Sequence, residues 1–134
     1  MEVNDWIKIG MANELSFQVE HKHTAAHIGS GSLKVLATPM MIAFMERVAR
    51  DLLALHLPQG YSSVGVHVDI HHLAPTPLGE KVWVTCKIVA VDSRRVDFAV
   101  RAWDAHETVG EGTHQRVVIN EERFIKRVTN KQAG

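Results

Sequence analysis

Thr38-Pro39-Met40-Met41-Ile42-Ala43-Phe44-Met45-Glu46 is the stretch on which the fold turns. Met40 to Met45 leave no polar stripe in the first turns, and a helix apolar all round is a buried one. Thr38 is a good N-cap, and Pro39 suits the first helical position, where a missing N–H costs nothing. From Glu46 to Leu55 the pattern becomes amphipathic, with Val48, Ala49, Leu52, Leu53 and Leu55 apolar and Arg47, Arg50 and Asp51 polar. Glu46 is thus the lone acid at the border of the wholly buried part.

On the N-terminal side, Leu15, Phe17 and Val19 alternate with polar residues at the period of a half-buried strand. His21 to Leu36 is mixed, and Gly29-Ser30-Gly31-Ser32 is too flexible for a regular element, so this segment reads as a loop or lid. Beyond the helix, Pro58-Gln59-Gly60 turns the chain, and Val64, Val66, Val68 and Ile70 form the clearest alternating row. Pro75, Pro77 and Gly79 end that strand. Val82, Val84, Cys86, Ile88 and Ala90 alternate next, Asp92-Ser93-Arg94 supplies a hairpin turn, and Val96, Phe98, Val100 and Ala102 follow. After a turn at Asp104-Ala105-His106, Val109 to Ile119 reads as a last strand broken by Gly110 and Gly112, and Glu121 to Lys131 as a short charged helix without a continuous apolar face. Strands joined mostly by tight turns make an antiparallel sheet, and the apolar helix must pack on one of its faces. The class is α+β.

With 134 residues, 46% of them hydrophobic, the chain has the size and composition of one domain spanning residues 1–134. Lys plus Arg equal Asp plus Glu at 15 each, so there is no net basic field of the kind nonspecific nucleic-acid binding uses. Cys86 is the only cysteine, which excludes an intramolecular disulfide and fits a reducing compartment. No segment is long and apolar enough for a bilayer, and Met1 to Gly10 has no apolar run behind basic residues, so a soluble cytoplasmic protein with no membrane partner is expected.

One long buried helix wrapped by a five-stranded antiparallel sheet resembles the hotdog fold. Val35-Leu36-Ala37-Thr38-Pro39, Met45-Glu46, Ser63-Val64-Gly65, His71-His72-Leu73-Ala74-Pro75-Thr76-Pro77 and Glu111-Gly112-Thr113-His114 resemble the fluoroacetyl-CoA thioesterase group over nearly the whole chain. The resemblance implies hydrolysis of an acyl-CoA thioester without metal or organic cofactor. It also implies a catalytic set at Thr38, Glu46 and His72, a glycine amide near the thioester at Gly65, and an arginine on the last strand at Arg116. The member of that group specialised for fluoroacetyl-CoA has an aromatic lid before its helix, whereas here no Phe, Trp or Tyr stands between Phe17 and Phe44.

Each of these residues also has a plainer reading. Thioester hydrolysis needs a nucleophile or activated water, a proton shuttle, and donors aimed at the carbonyl oxygen. Glu46 supplies the first, or else pairs with Arg50 at the i,i+4 spacing; its neighbours Phe44, Met45 and Val48 suggest a desolvated site. Thr38 is a helix cap, a catalyst, or both. If both residues are helical, Thr38 and Glu46 stand roughly 12 Å apart along the axis and about 80° out of phase. A relay between them needs His72 in the middle or residues from a second subunit. His72 continues the register of Val64, Val66, Val68 and Ile70, so it is expected on their face, as a general base or as a core histidine with a backbone partner. Gly65 is alternatively a close-packing glycine under the helix, and Arg116 an exposed strand arginine.

Nine histidines raise the question of a metal. His67 and His71 share a strand face but lie roughly 13 Å apart, and no evident carboxylate or thiolate completes a site around His21 and His23, so none is expected. Homodimerisation is expected, because one curved sheet around one helix leaves edges and an apolar flank to cover, and members of the group build their sites between subunits. Two rival readings remain. One is a non-catalytic acyl-CoA or acyl-carrier binding module, whose mark would be loss of Glu46 or His72. The other is a dehydratase using Asp51 with His56.

Overall fold

The computed structural model describes residues 2–133. After a 3-10 turn at Val3–Asp5, the elements are β1 (Ala12–Gln18), a 3-10 turn (His21–His23), α1 (Ala25–Ile28), α2 (Thr38–His56), β2 (Tyr61–His72), β3 (Lys81–Asp92), β4 (Arg95–Trp103), β5 (Thr108–Asn120) and α3 (Glu121–Ala133). The five strands form one sheet in the order β1-β3-β4-β5-β2, every neighbouring pair antiparallel. Both edge strands precede the three central ones in the chain, and β2 reaches the far edge because α2 crosses the sheet before it.

The helix is buried on one face. Met41, Met45, Val48, Ala49, Leu52 and Leu53 pack against Val82, Val84, Cys86, Ile88, Val96, Phe98, Val100 and Ala102 from the sheet. Burial pushes the Cys86 thiol up to about 12, so it is an inert member of this core. The expectation of a helix buried all round needs correction, since Ala43 is exposed and Met40, Ile42 and Phe44 are only half-buried. One sheet layer covers one side of a cylinder. The first turns of α2 therefore keep an apolar flank partly open, relieved by Phe44 stacking on Phe17 with ring centroids 3.7 Å apart.

β2 does not keep one alternating row along its length. Gly65 lies opposite Arg116 and His67 opposite Gln115, so Val66 is an inserted residue in a β-bulge. Alternation changes phase there. Ser63 and Gly65 share the helix side with Val118 and Arg116, and after the bulge Val68, Ile70 and His72 share it with His114, Gly112 and Gly110. Val64 and Val66 do not belong to that row; Val64 sits opposite Val117 on the outer face.

In β5, Gly110 and Gly112 do not break the strand, which runs unbroken from Thr108 to Asn120. Gly110 is there for room: a Cβ at that position would stand 2.5 Å from Met41 Sδ, so its missing side chain lets α2 lie close on the sheet. The segment before α2 is also more regular than a plain loop. It holds the 3-10 turn and α1, and is tied down by bridges from Thr24 to Leu36 and from Val35 to Pro77, which leave only the Gly29–Lys34 stretch irregular and exposed. α3 forms as the charge pattern suggests, with Phe124 its one half-buried residue. No helix among the described residues is long and apolar enough to cross a membrane.

Candidate active site

Two clusters of polar side chains stand on the helix side of β2, one at each side of its bulge. The first is at the start of α2. Ala37, with extended φ and ψ of −74° and 139°, is the N-cap, and its carbonyl accepts from the Met40 and Met41 amides at 3.1 and 3.0 Å. Thr38 is therefore inside the first turn rather than capping it. Its hydroxyl makes no cap bond and instead lies 2.7 Å from His72 Nδ1. Both side chains line a cleft of about 320 Å³ with Ala25, Val35, Ala37 and Ala74.

His72 Nε2 is buried and has no hydrogen-bond partner among the described residues. Burial holds the imidazole below its ordinary pKa, with the Ala74 backbone pulling weakly the other way. His72 is thus a neutral imidazole at neutral pH. The strand end that carries it is fixed by the Leu73 amide donating to the Val109 carbonyl at 2.8 Å.

The second cluster surrounds Glu46. Its partner is Arg116, with Nη1 3.7 Å from Glu46 Oε2, and not Arg50, which pairs with Asp51 at 3.0 Å. The Glu46 side chain is 43% exposed, so the desolvated acid expected from its neighbours is half open to water in this chain. Arg116 is almost fully buried and firmly held: Nε donates to Ser63 Oγ at 2.8 Å and Nη2 to the Ser63 carbonyl at 3.1 Å. Burial pulls its pKa down and the Glu46 charge pulls it back up. Gly65 lies against this cluster, and a Cβ there would stand 2.6 Å from Glu46 Oε2 and 3.4 Å from Arg116 Nη1.

The structure therefore joins Thr38 with His72, and Glu46 with Gly65 and Arg116. No hydrogen bond or ion pair among the described residues links the two groups. Sequence reading missed Ser63 and His114 as members of the second cluster. His114 is buried beside Arg116, and the usable signal was its place two residues before an inward arginine on an alternating strand. Asp51 and His56 do not form a pair, since Asp51 is held by Arg50 and His56 is exposed at the end of α2.

A five-stranded antiparallel sheet wrapped around one long helix defines the hotdog fold. A family model described as fluoroacetyl-CoA-specific thioesterase, FlK, matches residues 19–122, and the chain belongs to that family. The fluoroacetyl-CoA thioesterase of Streptantibioticus cattleyicolor is 32% identical over 96% of this chain and 97% of its own. Among solved structures, the fluoroacetyl-CoA thioesterase FlK superposes with a TM-score of 0.86 at 31% identity, covering 93% of this chain and 97% of that one. A hot-dog-like protein from Thermanaerovibrio acidaminovorans superposes with a TM-score of 0.92 at 29% identity over 100% of this chain and 99% of that one.

Proposed function

We propose that this protein hydrolyses an acyl-CoA thioester to the free acid and CoA, with Thr38, Glu46 and His72 as its catalytic set. The observation that carries the reading is the Thr38 hydroxyl 2.7 Å from a neutral, partly buried His72 at the wall of an open cleft. A neutral imidazole takes a proton from a hydroxyl or a water and returns it to a leaving group. Here the leaving group is the CoA sulfur. Water adds its oxygen to the carbonyl carbon, the carbon–sulfur bond breaks, and the thiolate receives the proton that His72 has taken.

Glu46 supplies the carboxylate in one of two ways: it takes the proton of the attacking water, which then passes by way of His72 to the departing thiolate, or it attacks the carbonyl itself, the thiolate leaves as the anhydride forms, and His72 takes a proton from the water that opens the anhydride and passes it to the thiolate. Arg116 holds the carboxylate in place, and the Gly65 amide serves the oxygen on which charge develops. Eight residues along α2 amount to roughly 12 Å, too far for one carbonyl to meet both clusters of one chain, and His72 does not bridge them. This supports a homodimer in which the Thr38–His72 pair of one protomer meets the Glu46 cluster of its partner. The half-open Glu46 and the partly uncovered Val66 and Val68 on edge strand β2 fit a surface that a second copy covers.

The test is a panel of acyl-CoA esters from acetyl to long-chain and aryl, followed by free-thiol release, with sedimentation to measure the assembly. Thiol release well above the uncatalysed rate with at least one ester is the expected result. A folded protein that binds these esters and releases no thiol from any of them would return the chain to a binding module.

A further inference from the structure

His114 has no assigned part in the reaction, although both of its ring nitrogens have partners. It is 1% exposed on β5, its ring stacked near Phe98 of β4 with centroids 6.0 Å apart. Nδ1 lies 2.8 Å from the His67 backbone carbonyl, next to the β2 bulge, and Nε2 lies 3.2 Å from Arg116 Nη1. A carbonyl only accepts and a guanidinium only donates. The proton must therefore be on Nδ1, and the Nε2 lone pair must receive the Arg116 N–H.

We infer that His114 is a positioning residue, acting as a neutral acceptor that aims the Arg116 guanidinium, and through it Glu46, at the reacting carbonyl. Arg116 Nε and Nη2 are spent on Ser63, so Nη1 alone faces Glu46, and His114 Nε2 accepts from Nη1 and closes the set of contacts that holds the planar guanidinium against Glu46. Protonation would remove the acceptor and set two cations 3.2 Å apart. Burial, with Arg116 beside it, holds the ring below its ordinary pKa despite the His67 carbonyl and the Glu46 charge, and the His67 side chain also opposes its protonation. The bulge gains a purpose from this arrangement, because the inserted Val66 turns the His67 carbonyl onto Nδ1 while Gly65 stays against Glu46.

The inference rests on Glu46 being the catalytic carboxylate, and the experiment separates the two claims. Wild type, His114→Phe, His114→Gln, Glu46→Gln and the H114F/E46Q double variant are compared for kcat and KM on the best ester, with unfolding midpoints measured alongside. H114F is expected to lower kcat by at least about tenfold with KM little changed, since small misplacements of reacting groups are costly. H114Q, which keeps an acceptor, is expected to retain more. In the E46Q background H114F should add nothing, because both changes disable one unit. Nitrogen NMR of wild-type His114 at neutral pH should show a proton on Nδ1 and a bare Nε2. A full-speed H114F beside a slowed E46Q, independent effects in the double variant, or a charged or Nε2-protonated His114 each overturns the inference. A full-speed E46Q overturns the functional reading, and this inference with it.

Discussion

Thr38 opens α2 and His72 closes β2, yet Thr38 Oγ1 lies 2.7 Å from His72 Nδ1. Thr38 is not the N-cap, so its hydroxyl has no other bond to satisfy. Thr38→Ser is therefore expected to keep most of the hydrolysis rate and Thr38→Val to lose about a hundredfold, the usual scale for a group engaged in proton transfer. Helix stability should differ little between the two, because no cap is removed. Equal rates for Ser and Val would show that the hydroxyl is not used.

His72 and His114 set the response to acid. Each is held below its ordinary pKa of 6.5 by burial. In such a case the unfolded chain binds protons first as pH falls. Stability contributed by the two neutral rings is complete above about 6.5 and is lost progressively as pH drops from there through the folded values. Denaturant unfolding at pH 7.5, 6 and 5 should show this decline, and His72→Ala should make it shallower. For catalysis the base must be neutral, so the acidic limb of the rate profile should fall with a midpoint below 6.5 and vanish or move in the His72 variant. A limb centred above 6.5 would remove His72 from the role of base.

Most of the strand alternation, the amphipathic second half of α2 and the two-residue turn between β3 and β4 were legible, because each is a local period in the sequence with one physical meaning, although Ile88 and Ala90 do not continue one row across the β3 bulge and the first turns of α2 keep an open flank. The β2 bulge was not. Val64, Val66, Val68 and Ile70 read as an unbroken row, and only the pairing partner, with Gly65 on Arg116 and His67 on Gln115, shows that one residue is extra. For the same reason Ser63 and His114 escaped notice. Their partners lie 53 and 47 residues away, so the strand register hints at an inward position, for His114 two residues from Arg116, but does not say which groups meet there. Ile7 is fully buried although its segment carries no period at all. Thr38 was found for its position but misread as a cap, since Thr followed by Pro satisfies the capping pattern equally well one residue off.

Gly65 offers a test of placement rather than of chemistry. A Cβ there would stand 2.6 Å from Glu46 Oε2, the mobile end of a half-exposed side chain, and 3.2 Å from His114 Cε1, so the fold accommodates alanine when the carboxylate swings aside and the ring gives by a few tenths of an ångström. Gly65→Ala should unfold within a few degrees of wild type but lose about tenfold or more in kcat, because the displaced acid no longer meets the carbonyl. An alanine variant with wild-type kcat would mean that the position of the carboxylate beside Gly65 is immaterial to turnover.

This protein should not prefer fluoroacetyl-CoA over acetyl-CoA by a large factor, although it belongs to the fluoroacetyl-CoA-specific thioesterase family. Between Phe17 and Phe44 the segment over the cleft has no aromatic ring. Its large apolar residues do not supply one: Leu36 is buried as part of the core, while Ile28 and Leu33 are 38% and 69% exposed and Gly29–Lys34 lies open around them. Discriminating a single fluorine takes a tight wall, and a methylene-sized difference in an apolar site is worth only ~1–3 kcal/mol. A lid of exposed small residues does not form that wall. Catalytic efficiencies for the two esters, measured side by side, are expected to fall within the ~10–200-fold that such a difference in fit allows. A fluoroacetyl preference above about a thousandfold would exceed that range and show that the selectivity is built from something other than the lid.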